Sequence, residues 1–158
     1  MNCVRTLVTG ATGYIGSRLV AALLAQGHEV VTASRDPRRL ADFGWHDDVS
    51  VVQLDAQDEA SARRAFTDAG SVDVVFYLIH AIGQPGFRAA DNLAAANVAA
   101  AAKVAGVRRI VYLGGFVPDD DSLSEHLASR AEVAGAHAID GGPDVVWLGA
   151  AMIIGAGS

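Results

Sequence analysis

The chain has 158 residues, 51% of them hydrophobic and 19% charged, a composition that provides for a buried core and excludes disorder of the chain as a whole. Its 12 basic and 18 acidic residues give a net charge of −6, which argues against a dedicated nucleic-acid-binding protein, since such proteins normally present a basic face. The single cysteine, Cys3, excludes an internal disulfide and a cysteine-based zinc site, and it fits a reducing compartment.

Short β-branched runs alternate along the chain with alanine-rich helical stretches. In the first helical stretch, Ile15, Leu19 and Leu23 recur every four residues and form one helical face. The fourth predicted strand is apolar on both faces, which is typical of a parallel strand covered on both sides. In chain order, the sequence predicts strands at 4–8, 29–33, 49–54, 72–79, 109–113 and 145–148, and helices at 14–26, 58–69, 88–105 and 123–139.

Membrane and secretion signals are missing from the sequence. No stretch reaches the roughly 18 consecutive apolar residues of a membrane span. Residues 145–154 are apolar, but this stretch is too short and Gly149 interrupts it. The start of the chain also lacks the long apolar region of a secretory signal. We therefore expect a cytoplasmic protein without a membrane span.

A glycine-rich segment, Thr9–Gly16, reads TGATGYIG and joins the first strand to the first helix. In this setting Gly10 allows a tight turn, Gly13 lets the backbone approach a pyrophosphate, and Gly16 permits close packing of helix on strand. The helix N terminus offers free N–H groups and a partial positive charge to phosphates. The residues predicted to bind a dinucleotide here are Gly10, Thr12, Gly13, Tyr14, Ile15 and Gly16.

The alternation of strands and helices then predicts the fold class. We expect one α/β domain over residues 1–158, a Rossmann-type doubly wound parallel sheet of order 3-2-1-4-5-6 in a three-layer αβα arrangement. A turn without ligand would be the alternative interpretation of the glycines, and it would leave their register with the flanking strand and helix unexplained.

Several segments resemble the extended and atypical short-chain dehydrogenase/reductases. The spacing Gly-x-x-Gly-x-x-Gly is one of them, and GVRRIVYLGG (106–115) and AANVAAAAKVAG (95–106) resemble the fifth strand and fourth helix of that superfamily. VVFYLIHAIG (74–83) and LSEHLASRAEV (123–133) are most similar to its NmrA-like, NAD(P)H-binding branch. The resemblance covers essentially the whole chain. Because relatives usually build their substrate pocket from later sequence, we expect the C-terminal substrate lobe to be absent or truncated.

The end of the second strand bears on the choice of cofactor. An acidic residue there would bind the ribose 2′-hydroxyl and select NAD, whereas an arginine accommodates a 2′-phosphate and selects NADP. Arg35 stands where the family places its selector, with Arg38 and Arg39 close behind. We predict NADP as the cofactor, with NAD as the alternative because Asp36 could turn inward.

Two more strand ends are predicted to line the cofactor. The resemblance implies that Asp55 and Ala56, after the third strand, meet the adenine edge, although Asp55 also fits a simple loop residue before a helix. Ile79, His80 and Ala81 end the fourth strand beside the glycine loop. His80 is a lone histidine at a strand end, and such a residue is more often a hydrogen-bonded scaffold residue than a catalytic one.

The catalytic positions depart from the family pattern. Standard members carry Tyr-x-x-x-Lys on the fifth helix and a serine at the end of the fifth strand. Here His126 and Arg130 occupy the first two positions, and Gly114 or Gly115 stands at the third. His126 could act as a general acid, since imidazole titrates near neutral pH. Arg130 could bind ribose or phosphate but cannot give up its proton at physiological pH.

The alternative to these catalytic and binding roles is that His126 and Arg130 are both surface residues of a helix. That helix is predicted to start at about Leu123, because Ser122 and Glu125 have the spacing of a capping box. No metal is predicted. The five histidines show no ligand spacing, and the carboxylates of Asp119, Asp120 and Asp121 are better interpreted as a solvated loop.

Two hypotheses for function follow. One is an NADP(H)-dependent oxidoreductase acting on a small organic substrate. The other is a non-catalytic NAD(P)-sensing regulatory or assembly protein of the NmrA-like type, which the missing Tyr, Lys and Ser favour. A homodimer is predicted through the helices 88–105 and 123–139, where Ala95, Ala99 and Ala102 would allow close approach or, equally, pack on the sheet.

Overall fold

The fold is a six-stranded parallel sheet of order β3-β2-β1-β4-β5-β6 with four α-helices, as the sequence predicted. The computed structural model describes residues 3–80, 86–115, 125–151 and 153–155, with Glu125 and His126 described through their backbone only. The strands are β1 (Arg5–Thr9), β2 (Glu29–Ser34), β3 (Ser50–Gln53), β4 (Val74–Tyr77), β5 (Arg109–Gly115) and β6 (Asp144–Ala150), and the helices are α1 (Tyr14–Ala25), α2 (Glu59–Ala69), α3 (Phe87–Val104) and α4 (Glu125–His137).

The sheet separates two apolar clusters, because successive strand residues point to opposite faces. Leu7 of β1 belongs to the larger cluster, which contains buried residues of α2, α3 and α4. Val8 belongs to the smaller cluster, which contains Val20 of α1 and Leu40 of a short 3₁₀ turn at Pro37–Leu40. Helices therefore cover both faces and make the three layers that the sequence predicted.

The three alanines considered for a dimer interface lie inside the domain. Ala95, Ala99 and Ala102 of α3 have no exposed surface and belong to the larger core cluster. They pack against neighbouring elements of the same chain, so the close approach of a second copy does not depend on them. The outward face of α3 carries Leu93, which is half exposed.

The fourth strand is shorter than the predicted range 72–79 and ends at Tyr77. The physical reason is a side chain: the Thr9 hydroxyl accepts a hydrogen bond from the Leu78 amide and donates one to the Phe76 carbonyl. Leu78 and the residues after it therefore leave the ladder. As a result, Ile79 and His80 lie beyond the strand, in a loop at its carboxyl end.

Other element boundaries differ from the predicted ones by one or two residues. Helix α4 ends at His137 rather than at residue 139, because the chain turns at Gly141, whose φ is +63°, and the Gly142 amide bonds back to the Ile139 carbonyl. The proposed capping residue Ser122 lies outside the described residues. In the described part of the chain, no helix is long and apolar enough to cross a membrane.

Candidate functional site

The glycine loop between β1 and α1 is built so tightly that two of its positions accept only glycine. Gly10 has a φ of +69°, and a Cβ there would lie 2.8 Å from the Leu78 carbonyl oxygen. A Cβ on Gly16 would lie 2.2 Å from the Gly10 carbonyl oxygen. The predicted roles of these glycines in turning the chain and packing the helix therefore match the geometry.

The third glycine, Gly13, leaves the start of α1 open. It is the N-cap residue of α1, and no side chain caps the amides of the first helical turn. By contrast, α2 begins at Asp58, whose carboxylate accepts hydrogen bonds from the amides of Ala60 and Ser61. Uncapped amides at a helix N terminus attract anions, and the start of α1, unlike that of α2, leaves such amides without a side-chain cap.

Two cavities meet at this loop. The first, of about 890 Å³, we call the polar cavity, and the second, of about 680 Å³, the apolar cavity. Gly10, Gly13, Leu78 and His80 line both. The polar cavity is further lined by residues from four places: Thr12 of the glycine loop, Ile79 after β4, residues of α3 that include Asp91, and the residues that follow β2 and β3, namely Arg35, Asp36, Arg39, Asp55 and Ala56. The apolar cavity is further lined by Tyr14, Ile15, Gly16, Leu113, Gly114, Gly115, Leu127, Arg130, Ala150, Ala151 and Ile153.

The predicted cofactor residues thus come together around the loop. Thr12 faces the polar cavity, whereas Tyr14 and Ile15 face the apolar one. Ala81 lies outside the described residues. The His126 side chain, the proposed acid, lies outside them as well.

Arg35 and Asp36, the two residues that bear on the choice of cofactor, both line the polar cavity. Both carboxylate oxygens of Asp36 accept hydrogen bonds from the Arg38 guanidinium, at 2.8 and 3.0 Å. This hydrogen bonding holds the pKa of Asp36 below its ordinary value. In the described part of the chain, no carboxylate lies within ion-pair distance of Arg35 or Arg39, and both arginines line the cavity.

The end of β3 forms a fixed corner of the same cavity. The Asp55 amide donates a hydrogen bond to the Ser61 hydroxyl at 2.9 Å, and the Asp55 carboxylate accepts one from the Gln57 amide. The Ala56 carbonyl accepts from the buried Asn97 side chain at 2.9 Å. These contacts hold the Asp55–Ala56 backbone in place, while the residues still line the cavity.

His80 and Arg130 are in direct contact at the junction of the two cavities. Nη1 of Arg130 lies 2.9 Å from Nδ1 and 2.5 Å from Nε2 of His80. A guanidinium can only donate, so the ring must accept and therefore stays neutral. Burial, and then the Arg130 charge, lower the pKa of His80 to about 4. Arg130 is half-buried and in contact with another side chain, whereas a fully solvated surface arginine would have neither feature.

The end of β5 is crowded where the family carries its serine. A Cβ on Gly114 would lie 2.4 Å from the Trp147 ring nitrogen and 2.8 Å from the Tyr112 ring. A Cβ on Gly115 would lie 3.0 Å from Leu127. With the aromatic rings in this arrangement, a side chain at position 114 would require Trp147 or Tyr112 to move.

A buried polar group behind Arg130 was not anticipated from the sequence. The group consists of His137, Tyr77 and Tyr112, which are fully buried, and Ser129, which is 1% exposed. Tyr77 packs edge-on against His137, with ring centroids 4.3 Å apart, and burial alone lowers the pKa of His137 to about 4. Among the described residues, hydrogen-bond partners are missing for side-chain atoms of Tyr77, Tyr112, Ser129 and His137.

The inward positions of Tyr77 and Tyr112 on neighbouring strands were a signal for this group, because alternate strand residues share a face.

For metals, the described residues contain no group of three or more His, Cys, Asp or Glu side chains that could hold an ion. Asp119, Asp120 and Asp121 lie outside them.

Known proteins are similar to this chain in sequence and in fold. Residues 10–140 match a family model described as NAD(P)H-binding. Over 120 residues the chain is 34% identical to the UDP-glucose 4-epimerase of Mycolicibacterium smegmatis, a match that covers 69% of this chain and 38% of the epimerase. The chain therefore belongs to this NAD(P)H-binding family, which confirms the resemblance to the atypical short-chain dehydrogenase/reductases and their NmrA-like branch.

Solved structures agree at the level of the fold. WbmG of Bordetella bronchiseptica, in complex with NAD and UDP, superposes with a TM-score of 0.72 at 23% identity, over 92% of this chain and 52% of WbmG. The triphenylmethane reductase of Citrobacter sp., complexed with NADP(H), superposes with a TM-score of 0.68 at 23% identity, over 84% of this chain and 45% of the reductase. The chain spans about half the length of these proteins, or less. Its cofactor is a nicotinamide dinucleotide.

Proposed function

We propose that this chain is the NADP(H)-binding part of an oxidoreductase that acts on a small organic substrate. The observation that carries the proposal is the sharing of one glycine loop by the polar and apolar cavities. A dinucleotide held on the open end of α1 would extend from the polar cavity into the apolar one. The reacting end of the cofactor would then share the apolar cavity with the substrate.

When bound, the cofactor supplies or accepts a hydride. The chain's own residues have other tasks. Gly13 and the first amides of α1 would bind the pyrophosphate, and Asp55 and Ala56 would border the adenine. Leu113 and Leu127 would exclude water from the reacting end. His126 is the proposed proton donor, since imidazole can carry a proton near neutral pH.

The choice of NADP(H) over NAD(H) rests on Arg35 and Arg39. Both line the polar cavity, and the Asp36 carboxylate is occupied by Arg38 instead of being free to accept from a ribose hydroxyl. A 2′-phosphate would supply the negative charge that these arginines lack. Calorimetric titration with NADPH and with NADH tests this choice, and equal affinities would contradict it.

Consumption of NADPH with a panel of aldehydes, ketones and quinones tests the activity itself. The second candidate function, a non-catalytic NAD(P)-sensing protein, is favoured by the crowding at Gly114, where the family carries its serine, and by the arginine at the lysine position. If NADPH binds but no member of the panel is turned over, the sensing function is preferred.

Two further proposals concern the protein's surroundings. A homodimer is proposed through α3 and α4, with the exposed Leu93 and Val104 of α3 as apolar contacts. A monomeric mass by light scattering at high concentration would reject it.

A cytoplasmic location is proposed from the single, exposed and free thiol of Cys3. Fractionation of the source cells would test it.

A further inference from the structure

Arg130 is a half-buried cation that lies against two uncharged side chains, the His80 ring and the Tyr112 phenol. Its Nη1 atom lies 2.9 Å from Nδ1 and 2.5 Å from Nε2 of His80. In the described part of the chain, no carboxylate lies within ion-pair distance of Arg130. Hydrogen bonds between a guanidinium and an anionic oxygen are roughly twice as strong as neutral ones, so His80 is a weak acceptor that a better one would replace.

The cavity beside Arg130 is otherwise apolar. Of its described lining residues, Arg130 alone carries a formal charge, because the His80 ring is held neutral. At about 680 Å³ the cavity falls in the size range of small-molecule sites. Aliphatic side chains make up much of its wall, namely Ile15, Leu78, Leu113, Leu127, Ala150, Ala151 and Ile153.

These walls discriminate between substrate chemistries. A sugar that entered the cavity would give up hydrogen bonds to water for every hydroxyl and would find few partners on the aliphatic walls. An aromatic or aliphatic body would instead be stabilised by the burial of its apolar surface. One oxygen on that body, if placed at Arg130, would satisfy the cation that His80 satisfies weakly.

We propose that the apolar cavity takes a largely apolar substrate with a single carbonyl or carboxylate group, and that Arg130 leaves His80 to donate hydrogen bonds to that oxygen. The inference rests on the proposed function, since it places the substrate where the reacting end of the cofactor would lie. In this role Arg130 binds and polarises the substrate oxygen and moves no proton. It departs from the ribose-binding role that the resemblance implies for this position.

Three probes separate the apolar body from the charged oxygen. Benzoate carries both features, benzyl alcohol keeps the ring without the charge, and glucuronate keeps the carboxylate on a polyhydroxylated ring. Each is titrated calorimetrically into the protein, with and without saturating NADP⁺. The variants are Arg130→Gln and Arg130→Lys, with Arg63→Gln as the matched control because Arg63 is an exposed arginine of α2, paired with Glu59.

The proposal expects benzoate to bind about tenfold or more tightly than either other probe, as the loss of one charge-assisted contact would predict. Arg130→Gln should remove the preference for benzoate over benzyl alcohol, whereas Arg63→Gln should leave it intact. Arg130→Lys, which keeps the charge, should retain part of it. The ring resonances of His80 should also shift when benzoate binds, because the ring loses its donor.

Two results would overturn the proposal. One is glucuronate binding as tightly as benzoate, and the other is unchanged benzoate affinity in a folded Arg130→Gln protein. If Arg130→Gln instead weakens NADPH binding tenfold and spares benzoate, Arg130 serves the cofactor and the proposal is wrong. A wild-type protein that binds no NADPH would remove the proposed function alone, since benzoate binding to the cofactor-free protein still tests the cavity.

Discussion

The polar and apolar cavities share Gly10, Gly13, Leu78 and His80, yet the rest of their walls differ in chemistry. The polar cavity adds Arg35 and Asp55, which follow β2 and β3, together with residues of α3. The apolar cavity adds the first turn of α1 and residues of β5, β6 and α4. The division falls where the strand order reverses, the point at which open α/β sheets bind ligands. One loop can therefore hold a ligand whose two halves differ in polarity.

The largest effect is expected where the two cavities meet. Gly13→Val should abolish cofactor binding while leaving the fold largely intact, because the side chain would occupy the space of the pyrophosphate. Its backbone φ of −79° is open to any residue, and a Cβ there would lie 3.3 Å from the Gly10 carbonyl oxygen, a tight but tolerable contact. Circular dichroism and an NADPH titration check both parts.

Two other glycines serve as references for this variant. Gly44→Val should leave binding unchanged, since a Cβ at Gly44 would have no neighbour within 4 Å. Gly16→Ala should lower stability itself, because its Cβ would lie 2.2 Å from backbone. Unchanged NADPH affinity in Gly13→Val would mean that the loop is not the phosphate site.

The next effect concerns catalysis and not cofactor binding. If His126 donates the proton, His126→Ala should lower turnover by about 10²–10⁴-fold, the usual contribution of a positioned general acid. NADPH affinity should change little, because a proton donor acts on the substrate and does not bind the phosphates of the cofactor. Steady-state kinetics and a binding titration together check this. Equal turnover in variant and wild type would remove His126 from the mechanism.

A pH effect is expected from the buried group behind the apolar cavity. Burial lowers the pKa of His137 to about 4, so its ring stays neutral in the folded protein until the pH falls to that value. In the unfolded chain the ring takes up a proton near pH 6.5. The unfolded state therefore binds more protons between these values, and the free energy of unfolding should fall as the pH drops from 6.5 to 4. The fall due to His137 is roughly 3 kcal/mol, at about 1.4 kcal/mol for each unit of pKa shift.

Urea unfolding at several pH values measures this slope. His137→Phe keeps an aromatic ring against Tyr77 and should flatten the slope by His137's share, leaving the share of His80, whose pKa is also about 4. His46→Phe is the control, since His46 lies partly exposed beside Asp47. A slope that survives unchanged in His137→Phe would show that His137 is protonated in the fold.

The smallest effect is confined to the polar cavity. Arg35→Ala should weaken NADPH binding by roughly 1–3 kcal/mol, the value of a hydrogen bond to a charged group, and should leave NADH binding nearly unchanged. Arg64→Ala, an exposed arginine of α2, is the control. Calorimetry with both cofactors measures the difference. Equal losses for NADPH and NADH would place Arg35 away from the 2′-phosphate.

Much of the fold was open to prediction because its signals are local. The four-residue spacing of Ile15, Leu19 and Leu23 marked α1, and the spacing of the three glycines placed the loop at the correct strand end. The end of β4 was missed, because a threonine side chain from another strand takes the place of a ladder hydrogen bond there. Such a replacement depends on which strands are neighbours, and a propensity pattern contains no such information.

By itself, the sequence determined the alternation of strands and helices and the glycine loop, since both follow from the periodicity and spacing of nearby residues. The parallel sheet and its order were expected because that alternation and that loop are typical of the Rossmann-type fold. Only the tertiary structure decided which side chains the site residues contact. It joined His80 to Arg130, 50 positions apart, and it placed Trp147 where a serine at position 114 would stand. These contacts arise from the way α4 and β6 pack against β5, and packing sets side-chain directions that no local pattern encodes.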